Sequence, residues 1–356
     1  MRFHLNEEQV AIQEALSGAL ADALPREKLH AFLDAEEDFE AESWKALMAL
    51  GLGGLIVPEE AGGSGLELLD AALAIESAGK GAGPGPLIGH ILAGLALKLS
   101  NNAAAKERWL PKIASGETVA TLALGGEWLP NNWDVEVING KANGVVRFVQ
   151  SANAAHLFLV GTSGGGLALV EAGEGASIAP IKSTDRTRRL SSVTFRNANA
   201  TELFAPGDTS VQRLFDAALV LIAADALGGA QHCLDLSAQY AKEREQFGQP
   251  IGRFQALKHQ LATMALAVEP ARALVWYAAY AFDRNLPDAS RTAALAKAHL
   301  CDRFVQVTRD AIAAHGGIGY TWEYGLNIWF RRAVFDRAYL GSPSVHRARA
   351  ADMARW

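Results

Sequence analysis

The stretch YAKEREQFGQPIGRFQALKHQLATM, residues 240 to 264, sets Arg244, Gln246 and Phe247 at the bend between two helical patterns. A guanidinium presents a planar fork of donors that suits phosphate oxygens, and a phenylalanine offers an apolar face to a ring. From the residues alone, an arginine at a helix end is more often a solvated charge, so both uses stay open. A second stretch, HGGIGY at 315 to 320, carries Gly316 and Gly317. Glycines there let another group come close to the backbone, or they end the helix running through Ala311 to Ala314. Both can hold at once.

Other candidates for chemistry read as structure. Cys233 and Cys301 are the two cysteines, and both sit among apolar neighbours in helical patterns, as core thiols do. His299 and Cys301 stand two residues apart on a helix and so point to different sides, which argues against a metal pair. Asn199-Ala200-Thr201 matches a glycosylation acceptor, but no secretory signal accompanies it. Gly164, Gly165 and Gly166 precede no helical pattern, so they form a loop rather than a phosphate cradle.

These residues must be positioned by a chain of 356 residues, long enough for two or three domains, with 50% hydrophobic and 20% charged residues. A net charge of -6 gives no electrostatic footprint for nucleic acid or an anionic membrane surface. The N-terminus lacks the apolar core of a secretion signal. The longest apolar run, Ala217 to Ala224, is too short to span a bilayer. The expectation is a cytoplasmic protein with no membrane span and no nucleic-acid partner.

Periodicity changes twice along the chain. Over 1–117 the apolar residues recur at helical spacing, as in Leu5, Ile12, Leu16 and Leu20, with glycine-rich turns at 57–66 and 79–89 that connect helices. Over 118–208 the period becomes two, and Asn139-Gly140 between alternating runs signals a hairpin with a type I′ turn. Over 209–356 the pattern is helical again, with segments at 210–245, 250–284, 288–314 and 325–337. The fold class is α+β and mainly α: a helical N-terminal domain, an antiparallel β-sheet middle domain and a C-terminal four-helix bundle.

This order, together with VPEEAGGSG (57–65), KERWLPKIASGE (106–117), YAKEREQFGQPIGRFQALKHQLA (240–262) and AIAAHGGIGYTWEY (311–324), resembles the acyl-CoA dehydrogenase family of FAD-dependent flavoproteins. The resemblance covers essentially the whole chain. It implies that the bend reaches across a subunit interface to a neighbour's FAD, with Arg244 on the pyrophosphate and Gln246 and Phe247 on the adenosine half. It also implies that Gly316 and Gly317 clamp the same cofactor.

The chain departs from the family where chemistry is done. The glutamate base of common members stands in a Y-E-G-T stretch, which here reads Tyr339-Leu340-Gly341-Ser342, so Leu340 replaces the carboxylate. The alternative base position of some members, twenty-nine places before Phe247, holds Ala218. Asp216 and Asp225 are nearby weak substitutes, better explained as a first-turn charge and a paired polar group. The flavin-contacting T-E-P-x-x-G-S-D stretch is reduced to Thr121 within 121–134, the W-I-T stretch appears as RFVQSANAA at 147–155, and Ala313 stands where a glutamine is usual.

By the resemblance, the retained motif would serve a partner's cofactor and most of the lost ones the chain's own. The resemblance therefore implies a subunit of an FAD-dependent acyl-CoA dehydrogenase that oxidises an acyl-CoA to a trans-2-enoyl-CoA, with the base supplied by a homologous subunit. Heteromers of that kind include bacterial enzymes of steroid side chains. Expected partners are an acyl-CoA, a homologous subunit in a heterotetramer or a second copy in a homo-oligomer, and an electron-transfer flavoprotein or similar acceptor. The alternatives are a self-sufficient dehydrogenase with an unrecognised base, and a non-enzymatic acyl-CoA-binding protein on this fold.

Overall fold

The structure is a computed structural model that describes residues 4–37, 39–124 and 130–354. Six helices come first: α1 (Glu7–Ala23), α2 (Arg26–Asp34), α3 (Ala41–Ala49), α4 (Leu68–Lys80), α5 (Leu87–Leu99) and α6 (Ala103–Ala114). The entry to α1 is a capping box in which the Asn6 side chain accepts from Gln9 N at 2.7 Å and the Gln9 side chain accepts from Asn6 N. α5 is buried along nearly its whole length, which its almost uniformly apolar sequence requires.

The strands follow: β1 (Ala120–Ala123), β2 (Glu136–Ile138), β3 (Lys141–Gln150), β4 (Leu157–Thr162), β5 (Gly166–Glu171), β6 (Ala176–Ile181) and β7 (Leu190–Phe204). They run β1-β4-β5-β7-β3-β2, with β6 also on β7. β7 is long enough to serve two half-sheets. Its first part pairs with β3 and β6, and its last part with β5. The sheet is antiparallel except that β1 runs parallel to β4, because the chain returns to β4 from the far side of the β2–β3 hairpin. Asn139 and Gly140 turn that hairpin with φ of 51° and 72°, as a type I′ turn needs.

The C-terminal bundle is built from α7 (Thr209–Glu243), α8 (Gln255–Asp283), α9 (Ala289–His315) and α10 (Leu326–Ala338), with a short hairpin of β8 (Glu245–Gln246) and β9 (Gln249–Pro250) between α7 and α8. A further helix, α11 (Pro343–Met353), packs on α9 beyond the four expected. By length and composition α7 could cross a membrane, but most of its apolar stretch is buried inside the protein. It is the axis of the bundle, packed against α4, α8, α9 and α10.

Two glycines permit the closest crossing. A Cβ on Gly79 of α4 would stand 2.3 Å from the Asp225 carbonyl oxygen, and one on Gly228 of α7 would stand 1.9 Å from that of Glu76. The two helices therefore touch backbone to backbone. Gly79 lies inside α4 rather than in a connecting turn, so the glycine-rich stretch at 79–89 does more than link helices. The N-terminal helices are also tied to the bundle through Asp283, whose carboxylate accepts from Leu68 N at 2.9 Å and Leu69 N at 3.1 Å.

Candidate functional site

α7 ends where Arg244 takes an extended conformation, and the chain reverses within the β8–β9 hairpin. Its turn is Phe247-Gly248, with φ of 53° and 77°. Both residues are left-handed, as a type I′ turn requires, and for phenylalanine that conformation is costly. Phe247 is 92% exposed, its ring edge-on to that of Phe254 at a centroid distance of 6.0 Å. Arg244 and Gln246 are exposed as well. The Gln246 amide donates to the Glu245 carbonyl at 2.8 Å. Among the described residues no acceptor engages the Arg244 guanidinium.

The second motif lies at the same end of the bundle. The His315 ring stacks on Tyr240, one turn before Arg244, at 4.3 Å. His315 Nδ1 contacts the Ala311 carbonyl at 2.7 Å, and burial pushes the ring's pKa down. Gly316 follows with φ 64° and ψ -141°, a conformation open essentially to glycine alone. A Cβ on Gly316 or Gly317 would meet no atom within 4 Å, so both face open space. Arg244, Gln246, Phe247, Gly316 and Gly317 are thus gathered at one exposed end. A free guanidinium, two open glycine backbones and an exposed ring fit a dinucleotide with a pyrophosphate and an aromatic base.

The positions that could hold a base are elsewhere and enclosed. Leu340 is 0% exposed and sits in the main hydrophobic core with φ 59°. A side chain that no water-sized sphere can touch leaves no room beside it for a substrate carbon, so Leu340 does not face an open cavity. Its carbonyl contacts His346 Nε2 at 2.7 Å. Ala218 lines an apolar crevice of only ≈ 20 Å³ between α5, the sheet and α7.

Asp225 is fully buried and lies between two guanidiniums, with Arg332 Nε at 2.7 Å and Arg188 Nη2 at 3.1 Å. Burial alone would raise its carboxyl, but Arg332 and Arg188 outweigh that and hold it below the ordinary carboxylate range. The neighbouring Asp336 is pushed well above that range by burial and by the Asp225 charge. Both arginines reach back to the Gly83 carbonyl, at 2.8 and 3.2 Å, so the network joins the α4–α5 turn, the β6–β7 loop, α7 and α10. Asp216 is not a first-turn charge, because α7 begins at Thr209, about two turns earlier. It is buried, paired with Arg349 at 2.6 Å and hydrogen-bonded by Gln212 and Ser290.

Gly125, Gly126, Glu127, Trp128 and Leu129 of the 121–134 stretch lie outside the described residues. Thr121 is buried, and its hydroxyl donates to the Gln150 carbonyl at 2.7 Å. The Tyr339 hydroxyl beside Leu340 is pushed up to about 12 by burial. Cys233 and Cys301 are core thiols, both raised by burial, Cys301 to about 12.

Sequence reasoning missed Arg188, Arg332 and the fully buried Lys297, whose ammonium donates to the carbonyls of Asp336 and Gly341. Nothing in the local sequence separates these cations from solvated ones. The pairing of Asp225 inside an apolar helix was the available signal, since a buried carboxylate demands a cation.

Comparison with known proteins agrees with this architecture. Residues 6–117 match the family profile of the acyl-CoA dehydrogenase N-terminal domain, and residues 207–354 that of the C-terminal domain. The acyl-CoA dehydrogenase IpdE2 of Mycolicibacterium smegmatis is 32% identical over 95% of this chain and 96% of its own length. FadE34 of Mycobacterium tuberculosis is 32% identical over 92% of this chain and 44% of its own. Among solved structures, the Tcur3481-Tcur3483 steroid ACAD superposes with a TM-score of 0.90 at 29% identity over 98% of each chain. Butyryl-CoA dehydrogenase from Megasphaera elsdenii, at 23% identity and a TM-score of 0.88, shares the fold.

Proposed function

The chain belongs to the acyl-CoA dehydrogenase family of flavoprotein oxidoreductases acting on CH–CH bonds, and from that premise we propose that it is the subunit of a heteromeric, FAD-dependent acyl-CoA dehydrogenase that completes its partner's cofactor site and carries no base of its own. The reading places it in the cytoplasm. FAD bound in the completed site would supply the hydride acceptor for the oxidation of an acyl-CoA to a trans-2-enoyl-CoA.

This chain's residues have positioning roles in that reaction. Arg244 offers two parallel donors to a pyrophosphate, while Gly316 and Gly317 let phosphate and ribose approach the backbone. Phe247 and Gln246 would meet the adenosine half of the FAD. The α-proton goes to a carboxylate of the partner, because Leu340 cannot accept it and Asp225 and Asp216 are each neutralised by arginine. The observation that carries the reading is Phe247: a phenylalanine 92% exposed in a left-handed turn is a poor choice for an isolated chain and a reasonable one for a surface that another subunit covers. The steroid-related neighbour supports a bulky acyl-CoA as substrate class.

The test is FAD stoichiometry in complexes formed by co-expression with a homologous chain that keeps its base. Arg244→Ala should weaken FAD binding in the complex by roughly ten- to a hundredfold, the value of a charge-assisted contact. Arg244→Lys should recover part of the loss, since an ammonium keeps the charge without the fork. Unchanged affinity in Arg244→Ala overturns the role of the bend. A yellow homo-oligomer that turns over acyl-CoA unaided would favour the self-sufficient enzyme instead.

A further inference from the structure

A second region is built to hold a ligand; Leu340 does not line it, and it borders the exposed bundle end through Tyr324, whose ring meets that of His315 at 4.9 Å. A cavity of ≈ 440 Å³ opens between α1, α2, α4, α7 and α10, walled by Leu20, Leu24, Leu236, Ile328 and Trp329. His232, on its α7 wall, is fourteen residues from Ala218, about 21 Å along the helix.

Its polar groups share a sign. Arg26 and Lys80 both line the cavity, and no carboxylate does among its described lining residues, although the chain is acidic overall. Lys80 is half-exposed and pairs with Asp235 at 3.0 Å outside the cavity. Arg26 is held over the Tyr324 ring at 5.5 Å. The His232 ring stacks flat on Trp329 at 3.9 Å, and burial together with Lys80 pushes its pKa down to about 4, so it is an uncharged wall at neutral pH.

The site is also unfinished. His30 Nε2 is buried with no hydrogen-bond partner, and a Cβ on Gly325, another lining residue, would stand 3.3 Å from it. A buried nitrogen left unpaired is costly, which points to a polar group that is brought from outside. Finally, a groove of ≈ 410 Å³ with mixed polar and apolar walls, which carries Glu14, Glu76, Asp235 and Glu269 beside Arg272, shares Ser17, Ser77 and Lys80 with the cavity. The apolar chamber therefore adjoins, at Lys80, a groove whose acidic side chains lie outside the chamber itself.

We propose that this cavity binds an aliphatic or alicyclic carboxylate, with its apolar body against Leu24, Leu236 and Trp329 and its carboxylate drawn to the Arg26 and Lys80 cations. The volume lies within the range of small-molecule pockets. The charge sign selects an anion over an amine or an alkylammonium ion.

The probe is ω-bromododecanoate, whose bromine quenches nearby tryptophan emission, added to the full chain with Trp329 as reporter. Saturable quenching is expected. Leu236→Trp should abolish it by filling the chamber, and Lys80→Met, at a half-exposed position that leaves the fold intact, should weaken it about tenfold. Dodecanoate should displace the probe at least about tenfold better than dodecyltrimethylammonium. Absence of saturable quenching, quenching that Lys80→Met leaves unchanged, or equal displacement by the cationic surfactant would each overturn the proposal.

Discussion

The two places where this chain carries unusual residues differ in every physical respect. At the β8–β9 hairpin, Arg244 and Phe247 stand in solvent on a strained turn, with little holding them. Around Leu340 and Asp225, four ionisable side chains, Arg188, Asp225, Arg332 and Asp336, are sealed in the core, with Asp225 paired to both arginines. The exposed region gains nothing for the isolated chain by being as it is. The sealed region gains a connection among all three parts of the molecule, at the cost of desolvating each ion. Under the proposed function, the first belongs to the assembly and the second to the fold, so perturbing them should move different measurements.

The largest effect belongs to the sealed region. Asp225→Asn removes the anion that compensates Arg188 and Arg332, and breaking a buried pair in this way costs about 3–5 kcal/mol. Denaturant unfolding of the free chain should show that loss. FAD content of the complex should follow only the fraction folded. A variant that is fully folded and flavin-loaded yet catalytically dead would make Asp225 the base and collapse the distinction.

A second effect comes from acid, at another group sealed in the core. His90 is buried between Ile113 and Ala120, with Nε2 at 3.0 Å from the Ile113 carbonyl and Nδ1 accepting from Ala120 N at 3.2 Å. Both nitrogens are satisfied in the neutral ring, and burial lowers its pKa from 6.5 to about 4. The unfolded chain therefore binds the proton more readily than the folded one. His90's contribution to stability is complete above about pH 6.5 and declines as pH falls toward 4, by roughly 3 kcal/mol in all. His232 and His346 carry the same shift and steepen the slope. In His90→Gln, unfolding free energy measured between pH 7 and about 4 should fall less steeply. An unchanged slope would mean that His90 protonates without disturbing the fold.

What was legible in the sequence follows the same division. The helical and two-residue periods mark the three segments, and Asn139-Gly140 and Phe247-Gly248 mark tight turns, because these signals act between neighbours in the chain. The gathering of Arg244 and Gly316 at one end rests on Tyr240 stacking on His315, a contact between residues far apart in sequence. The pairing of Asp225 with Arg188 and Arg332 is likewise non-local, and residue type argued the wrong way, since arginine is seldom fully buried. α11 had a local signal that went unused: Ser342-Pro343 is an N-cap followed by a proline at the first helical position.

The smallest effect sharpens the comparison most. Phe247→Asn replaces a residue that resists the left-handed conformation with one that tolerates it, and converts the turn to Asn-Gly, the favoured type I′ pair. With Phe247 so exposed, little packing is lost, so the free chain should keep its stability or gain up to about 1 kcal/mol. The heteromeric complex should respond in the opposite direction, with weaker association and lower FAD occupancy. Unfolding of the free chain and sedimentation of the complex separate these outcomes. If Phe247→Asn destabilises the free chain and leaves assembly and flavin untouched, the hairpin is a structural clasp between α7 and α8, and the exposed region belongs to the fold as fully as the sealed one.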